Sequence, residues 1–322
     1  MIYTVTLNPS VDRTLHLPGL RIGELNRAKS ATIDLAGKGV NVSVALRALG
    51  IDSVLLGFAG GATGRYLVDG LRDRGYTCAF HEVEGETRSN LTVVDDGSGQ
   101  VTKLNEPGPT VSLADLGALM AFMERIGEGD VCVLSGSLPP GAPVDAYARL
   151  VHRVRSQGAY VALDASGRAL AEGLRAAPDL IKPNLAEVRE LLRVVLAEPE
   201  AWAKAVHALR RRGAGHVLLS AGKDGALSDD VMSTLWARPP IIDEASPVGA
   251  GDALLAAWLY ARERGLDVRE RLRWAVACGT AAAELDGSRM PSREAVEELR
   301  SRVDVQSIGA AHVQASRRER ER

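Results

Sequence analysis

Short apolar runs, many of them β-branched, alternate along most of the chain with longer amphipathic segments, and this alternation restricts the fold more than any other feature. Several runs are almost wholly apolar, as expected for strands covered on both faces. Repeated strand–helix–strand order predicts a parallel sheet with helices on both sides, an α/β fold. The predicted strands are Ile2–Leu7, Ser53–Phe58, Val131–Leu134, Tyr160–Leu163, Leu180–Ile181 and Val217–Leu219. The predicted helices include Gly64–Arg74, Leu113–Arg125, Val144–Ser156, Trp202–Arg212 and three more between Asp252 and about Arg302.

Two regions, 12–35 and 87–106, depart from this rhythm, because polar and apolar residues alternate in them without an intervening helix. Alternation with period two predicts strands that have one face in water. We expect antiparallel strands outside the main sheet and, since the two regions are alike in character, we place them together in one small lid. Parallel sheets bind ligands beyond the carboxyl ends of their strands. The glycine-rich and polar clusters of this chain follow predicted strands or lie in the lid.

Size and charge limit the classes of function. The 322 residues, 46% of them hydrophobic, suffice for one large domain, predicted over residues 1–310, with a flexible charged tail at 311–322. A formal net charge of −2 gives no general attraction for nucleic acid or for an anionic membrane. Three widely spaced cysteines predict buried thiols in a reducing compartment. With no signal peptide and no apolar run of membrane-spanning length, we expect a cytoplasmic protein.

The segment Ser246–Ala253, SPVGAGDA, opens a long apolar helix and is the most informative cluster. Free N–H groups at a helix start bind anions, and small residues let an oxygen approach the backbone. A carboxylate beside such a site, here Asp252, could accept a hydroxyl proton while the amides hold a phosphoryl group. The field of the helix should keep Asp252 ionised and weakly basic. The alternative is that Asp252 is an ordinary acid in a first helical turn.

Other clusters are weaker when taken singly. Asp34–Asn41, DLAGKGVN, resembles a phosphate cradle but fits neither the Walker A nor the GxGxxG spacing, and taken alone the pattern favours a tight turn with a surface lysine. Arg88 in TRSN could grip a phosphate with its planar fork, whereas Arg27 in ELNR has little local support. In KPNLAE, Asn184 and Glu187 either cap a helix or organise water around Mg²⁺. SGSLPPG and SAGKDGA could be rigid or hairpin turns, or walls of a site.

Taken in order, these segments resemble the ribokinase-like (PfkB-type) carbohydrate kinase family, from the N-terminus to the helices after Asp252. They are most similar to the branch that contains 1-phosphofructokinase and tagatose-6-phosphate kinase. The segments that carry the resemblance are NPSVDRT, AGKGVN, TRSN, LNEPGP, SGSLPPG, KPN and VGAGD. The chain departs from the family pattern at Ala36, Pro247 and Ala256–Ala257, where a glycine, a threonine and a glycine are common. These changes are small or conformationally compatible.

The resemblance implies a three-layer α/β/α core, a small β-sheet lid that often forms a dimer interface, and the use of ATP and Mg²⁺. It also implies roles for individual residues. Asp252 would be the base beside an anion hole of Gly249, Ala250 and Gly251. Five residues would hold the sugar: Asp12, Gly37, Lys38, Asn41 and Ser137. Arg27 and Arg88 would bind its phosphate. The nucleotide and metal side would comprise Lys182, Asn184, Glu187, Ser220, Gly222 and Gly225, with Asn184 and Glu187 reaching the metal through water.

Three cations in or beside the lid, Arg27, Lys38 and Arg88, favour a phosphorylated sugar over a neutral one. Fructose 1-phosphate is the substrate that the resemblance favours, with tagatose 6-phosphate and fructose 6-phosphate as alternatives. A noncatalytic sugar-phosphate sensor on the same fold and a Rossmann oxidoreductase are rival functions. The intact Asp252 argues against the first, and the missing GxGxxG against the second. We expect a homodimer that pairs through the lid.

Overall fold

A computed structural model describes residues 1–242, 246 and 248–308. The strands are β1 (Ile2–Thr6), β2 (Ser10–Leu17), β3 (Ser30–Ala36), β4 (Ser53–Ala59), β5 (Thr77–Glu82), β6 (Arg88–Asp95), β7 (Val101–Leu104), β8 (Val131–Ser135), β9 (Tyr160–Asp164), β10 (Leu180–Ile181), β11 (His216–Ser220), β12 (Ala226–Asp229), β13 (Thr234–Arg238) and β14 (Asp304–Ser307). The α-helices are α1 (Lys38–Ala48), α2 (Gly61–Asp73), α3 (Leu113–Phe122), α4 (Ala146–Arg155), α5 (Gly167–Arg175), α6 (Leu185–Leu192), α7 (Pro199–Arg211), α8 (Ala250–Glu263), α9 (Val268–Ala283) and α10 (Arg293–Arg300). Single 3₁₀ turns occupy Met123–Arg125 and Gly222–Asp224.

The large sheet has the strand order β14-β13-β12-β11-β10-β9-β8-β1-β4-β5. The seven strands from β11 to β5 in this order are all parallel to their neighbours. At the other edge, β12, β13 and β14 extend the sheet in antiparallel pairs. The predicted mainly parallel sheet is confirmed, and all six predicted strands lie in its parallel part. The antiparallel extension was not predicted, because its strands are short and mix polar with apolar residues.

Helices cover both faces of this sheet, which confirms the three-layer α/β/α fold. Along β8, Cys132 and Leu134 pack into the cluster shared with α3 to α7, whereas Val131 and Val133 pack into the cluster shared with α1, α8, α9 and α10. Alternate side chains of a strand point to opposite faces, so an unbroken apolar run is buried on both sides.

The lid is a separate four-stranded sheet in the order β3-β2-β6-β7. The prediction that regions 12–35 and 87–106 lie together is therefore confirmed. The expectation of purely antiparallel strands is wrong, since β2 and β6 are parallel and only the outer pairs are antiparallel. The reason is geometric. Strands β2 and β6 follow β1 and β5 closely along the chain, and β1 and β5 run in the same direction in the large sheet.

Three sequence predictions concern the chain as a whole. Cys132 and Cys278 are buried free thiols, as expected, whereas Cys78 is half-buried. Within the described residues, no helix combines the length and apolar character needed to cross a bilayer. The charged tail at 311–322 lies outside the described residues, and the domain limits 1–310 stay a prediction.

Candidate active site

The start of α8 forms the centre of the site. Gly249 precedes the helix with φ +78°, a left-handed conformation that glycine adopts without a steric penalty. A Cβ at Gly249 would lie 3.3 Å from the terminal methyl group of Met290, so the turn packs closely against the chain before α10. The rest of α8 is buried from Ala253 to Ala261, and this holds the first turn and its free amides in place.

Asp252, in that first turn, is buried although it is a carboxylic acid. Asn41 Nδ2, on the first turn of α1, donates a hydrogen bond of 2.8 Å to Asp252 Oδ2. Burial, followed by the nearby negative charge of Asp164, raises the pKa of Asp252 to about 7. The expectation that the helix field keeps this group a weak base is therefore wrong. Desolvation of a fully buried carboxylate outweighs the field of the helix.

A second buried carboxylate, Asp164, ends strand β9 beside this group. Lys38 Nζ donates to Asp164 Oδ1 at 2.8 Å, and Lys182 Nζ lies 3.1 Å from Asp164 Oδ2. Burial alone would raise the pKa of Asp164, but the ammonium groups of Lys182 and Lys38 lower it. Sequence reasoning missed Asp164, because the apolar run of β9 was ended one residue before it. A carboxylate at the carboxyl end of an apolar parallel strand was the available signal.

A cavity of about 840 Å³ opens on one side of Asp252. It is lined by the four predicted catalytic residues Gly249, Ala250, Gly251 and Asp252, and by Lys38, Lys182, Asn184, Ser220, Gly222 and Gly225. Its wall after β11 needs a glycine, because a Cβ at Gly225 (φ +89°) would lie 1.9 Å from the carbonyl oxygen of Ala237. The SAGKDGA segment is thus both a hairpin turn and a wall of the cavity.

Asn184 and Glu187 form a reciprocal capping box at the start of α6. Asn184 Oδ1 accepts from the Glu187 amide at 2.9 Å, and Glu187 Oε2 accepts from the Asn184 amide at 2.8 Å. The capping interpretation is confirmed. Glu187 Oε1 points to the centre of the site, 4.0 Å from Lys38 Nζ. Burial raises the pKa of Glu187.

A second set of polar groups comes together between the lid and the loops after β1 and β8. Asp12 Oδ1 accepts from Ser10 Oγ at 2.7 Å and from Asn90 Nδ2 at 2.9 Å. Gly37 (φ +139°) precedes α1, and a Cβ there would lie 2.8 Å from Thr6 Cγ2. Because residue 37 is a glycine, the chain can turn closely past β1 and begin α1 with Lys38 and Asn41 on one face of the helix.

Arg88 and Ser137 meet around Asn8. Arg88 Nη2 donates to the backbone carbonyl of Asn8 at 2.9 Å, and Asn8 Nδ2 lies 3.5 Å from Ser137 Oγ. Three buried polar atoms here have no hydrogen-bond partner within the described residues: Asn8 Oδ1, Arg88 Nε and Asn90 Oδ1. Buried polar atoms are normally paired, so this cluster fits a polar ligand. Asn8 and Asn90 were not predicted as site residues, although they lie in the segments NPSVDRT and TRSN.

Residues 5–295 match the model of the family described as pfkB family carbohydrate kinase. The chain belongs to this family.

The relatives of this pfkB family chain include 1-phosphofructokinases. That of Bacillus subtilis is 37% identical over 305 residues, covering 95% of this chain and 99% of the relative. That of Rhodobacter capsulatus is 38% identical over 309 residues, covering 95% and 98%. Among solved structures, phosphofructokinase-2 from Escherichia coli in complex with potassium has a TM-score of 0.89 at 32% identity, covering 94% and 98%.

The pfkB family site agrees only partly with the predicted set of three cations. Lys38 is paired with Asp164 and lines the cavity, so its charge is already compensated. Arg27 is exposed in the loop between β2 and β3, beside Arg21 and Leu25, and does not join the group around Arg88. Of the three predicted cations, Arg88 is the one that lies in the polar group around Asn8.

Proposed function

We propose that this protein transfers the γ-phosphoryl group of ATP to a hydroxyl of a ketohexose phosphate, converting fructose 1-phosphate to fructose 1,6-bisphosphate. The buried Asp252 carries this proposal. It lines a cavity large enough for a nucleotide, and Asn41 joins it to helix α1, which directly follows the lid strand β3. Its pKa of about 7 suits a group that takes up a proton near neutral pH. The 1-phosphofructokinase names of the curated relatives support the same substrate.

In the proposed reaction, the sugar hydroxyl oxygen attacks the γ-phosphorus in line. A new oxygen–phosphorus bond forms, the bond to the bridging oxygen of ADP breaks, and the hydroxyl proton passes to Asp252. Asn41 holds the carboxylate through its 2.8 Å hydrogen bond. The amides at Gly249, Ala250 and Gly251 would bind the charge on the transferred group, as the N-termini of helices bind phosphate.

Mg²⁺ would neutralise part of the charge on the ATP phosphates. No cluster of three or more Asp, Glu, His or Cys side chains that could hold a metal occurs in the described part of the chain. Mg²⁺ commonly keeps several waters and binds through substrate phosphates, so one carboxylate is sufficient. Glu187 Oε1, which is free of the capping box, fits this role through water, with Asn184 beside it.

Turnover identifies the substrate. ADP release would be measured with ATP and Mg²⁺ against fructose 1-phosphate, tagatose 6-phosphate, fructose 6-phosphate, fructose and ribose. We expect the highest kcat/KM with fructose 1-phosphate. A higher kcat/KM with another ketohexose phosphate would support the proposed kinase activity but assign it a different substrate. Turnover of unphosphorylated sugars alone would contradict the role of Arg88, and inactivity with every sugar would favour the sensor.

We infer that the protein forms a homodimer through the outer surface of the lid. Four large apolar side chains there are strongly exposed: Ile22 (95%), Leu25 (76%), Leu104 (56%) and Val101 (55%). Two of them lie in the β2–β3 loop and two on the edge strand β7, and large apolar side chains exposed on one small sheet and its loop favour an interaction surface. A second solved structure of phosphofructokinase-2 from Escherichia coli is a tetrameric form.

The cytoplasm stays the proposed location of the protein, in keeping with its free thiols.

The double variant Ile22→Asp, Leu25→Asp tests this interface. We expect the wild type to sediment with twice the mass of one chain and the variant to sediment as a monomer, because two buried carboxylates facing each other across a dyad oppose association. Val231→Asp, Met232→Asp serves as the control, since these side chains are equally exposed (81% and 89%) on the β12–β13 turn of the large sheet. A monomeric wild type would contradict the inference.

A further inference from the structure

The ion pairs of Asp164 connect the two halves of the site. Lys38 belongs to α1 on the lid side, and Lys182 follows β10 on the nucleotide side. Both ammonium groups reach the same fully buried carboxylate, at 2.8 Å and 3.1 Å. Lys182 also borders the anion hole, because a Cβ at Gly251 would lie 3.3 Å from its Nζ. One carboxylate therefore fixes two cations that line the cavity beside Asp252.

The charges that face Asp252 come from several elements. Asp164 on β9 disfavours its ionised form, whereas Lys182 after β10, and Lys38 and Asn41 on α1, favour it. Glu187 at the start of α6 faces Lys38. Helix α9, which packs against α8, lines the same cavity with uncharged residues only: Val276, Gly279, Thr280 and Ala283. The balance at Asp252 thus depends on one negative and two positive neighbours.

We propose that Asp164 is a positioning residue that holds Lys38 and Lys182 in place and keeps Asp252 basic enough to accept the substrate's hydroxyl proton. Asp164 can have this role only if Asp252 accepts a proton during catalysis, so the inference rests on the proposed kinase function. Removing the charge of Asp164 would leave two ammonium groups beside Asp252 without compensation. They would favour ionised Asp252, lower its basicity and be free to move toward it.

The test is the pH dependence of kcat/KM in Asp164→Asn. Activity requires ionised Asp252 and is lost as the pH falls through its pKa. We expect the acidic limb of the profile to move to lower pH by about one unit or more. The plateau should also fall by about tenfold or more, because displaced lysines misplace the phosphates. In Lys182→Gln the positive neighbour is lost, so the acidic limb should move in the opposite direction, to higher pH.

Asp179→Asn is the matched control. Asp179 precedes β10, and its Oδ2 accepts a 2.8 Å hydrogen bond from the Val161 amide at the opposite end of β9 from Asp164. This variant removes a hydrogen-bonded carboxylate from the same pair of strands without changing the charges at Asp252. Its acidic limb should coincide with that of the wild type. All variants share the same substrates, so ionisation of the substrate phosphates cancels in the comparison.

An acidic limb that stays at the wild-type pH in Asp164→Asn would overturn the proposal, even if activity falls. If Asp164→Asn does not fold, as judged by circular dichroism, Lys182→Gln decides, and an unmoved limb again overturns it. A wild type without turnover contradicts the kinase function instead. In that case, carbon NMR titration of the Asp252 carboxyl in wild type and Asp164→Asn tests the electrostatic part by itself.

Discussion

Replacing Asp252 by Asn is expected to lower kcat by about a hundredfold or more while leaving the affinity for ATP close to that of the wild type. The amide keeps the shape of the side chain and its contact with Asn41, but it cannot accept the hydroxyl proton. The cavity wall at Gly249 to Gly251 does not change, so the nucleotide should bind as before. Steady-state ADP release gives kcat, and titration calorimetry gives the Kd for ATP.

The same variant should be more stable than the wild type at pH 8. The folded protein raises the pKa of Asp252 to about 7, so folding favours the protonated form, and this stabilisation is lost as the pH rises from about 4 to 7. Above that range the buried charge costs on the order of a few kcal/mol, which Asn avoids. Denaturant unfolding at pH 8 measures the change.

Asp267→Asn is the control for Asp252→Asn. Asp267 caps α9 through the Glu270 amide and is exposed, so both kcat and the free energy of unfolding should stay near the wild-type values. Near-normal turnover of Asp252→Asn would remove Asp252 from its proposed role. A large loss of ATP affinity would instead show that Asp252 contributes to the shape of the nucleotide cavity.

Arg88→Met is expected to raise the KM for the sugar phosphate by about tenfold to a hundredfold, since a hydrogen bond to a charged group contributes roughly 1.5–3 kcal/mol. The KM for ATP should not change. Turnover of unphosphorylated fructose should also stay the same, so the preference for the phosphorylated sugar should fall by the same factor. The physical reason is the buried Nε of Arg88, which has no partner among the described residues. Burial also lowers the pKa of this guanidinium group.

Arg13→Met provides the matched control for Arg88→Met. Arg13 lies in the same lid sheet, but it follows Asp12 on β2 and is exposed on the opposite face. The Arg13→Met variant removes one positive charge from the lid but leaves the group around Asn8 unchanged, so its KM values should equal those of the wild type. Equal losses in the two variants would indicate a general electrostatic effect of the lid. An unchanged KM in Arg88→Met would place the sugar phosphate elsewhere.

Much of the architecture could be predicted, because burial on both faces leaves a signal within each segment. The strands from β1 to β11 that were predicted are apolar along their length, and the helices after Asp252 are separated by residues such as Gly265. Strands β12 to β14 gave no such signal. The parallel pairing of β2 with β6 depends on the directions of β1 and β5, which no local pattern encodes.

The site was predictable where a motif carries its own geometry, as at Gly37 and Gly249, whose backbone conformations require glycine. Its electrostatics were not. The basicity of Asp252 depends on Asp164, Lys182 and Lys38, which are brought together from three distant parts of the chain. A helix start suggests a low pKa, whereas burial among these groups produces a high one.

The parallel β2–β6 pair has a consequence for the order of folding. It joins Ser10 to Arg88, and the chain between them contains α1, β4, α2 and β5. Docking of these elements brings β2 and β6 together, so that their pairing no longer has to close a long disordered loop at a large entropic cost. The lid is therefore expected to assemble late and to open early. Its amides should exchange with solvent deuterium faster than those of β1 and β8, even while the helix that carries Asp252 stays intact.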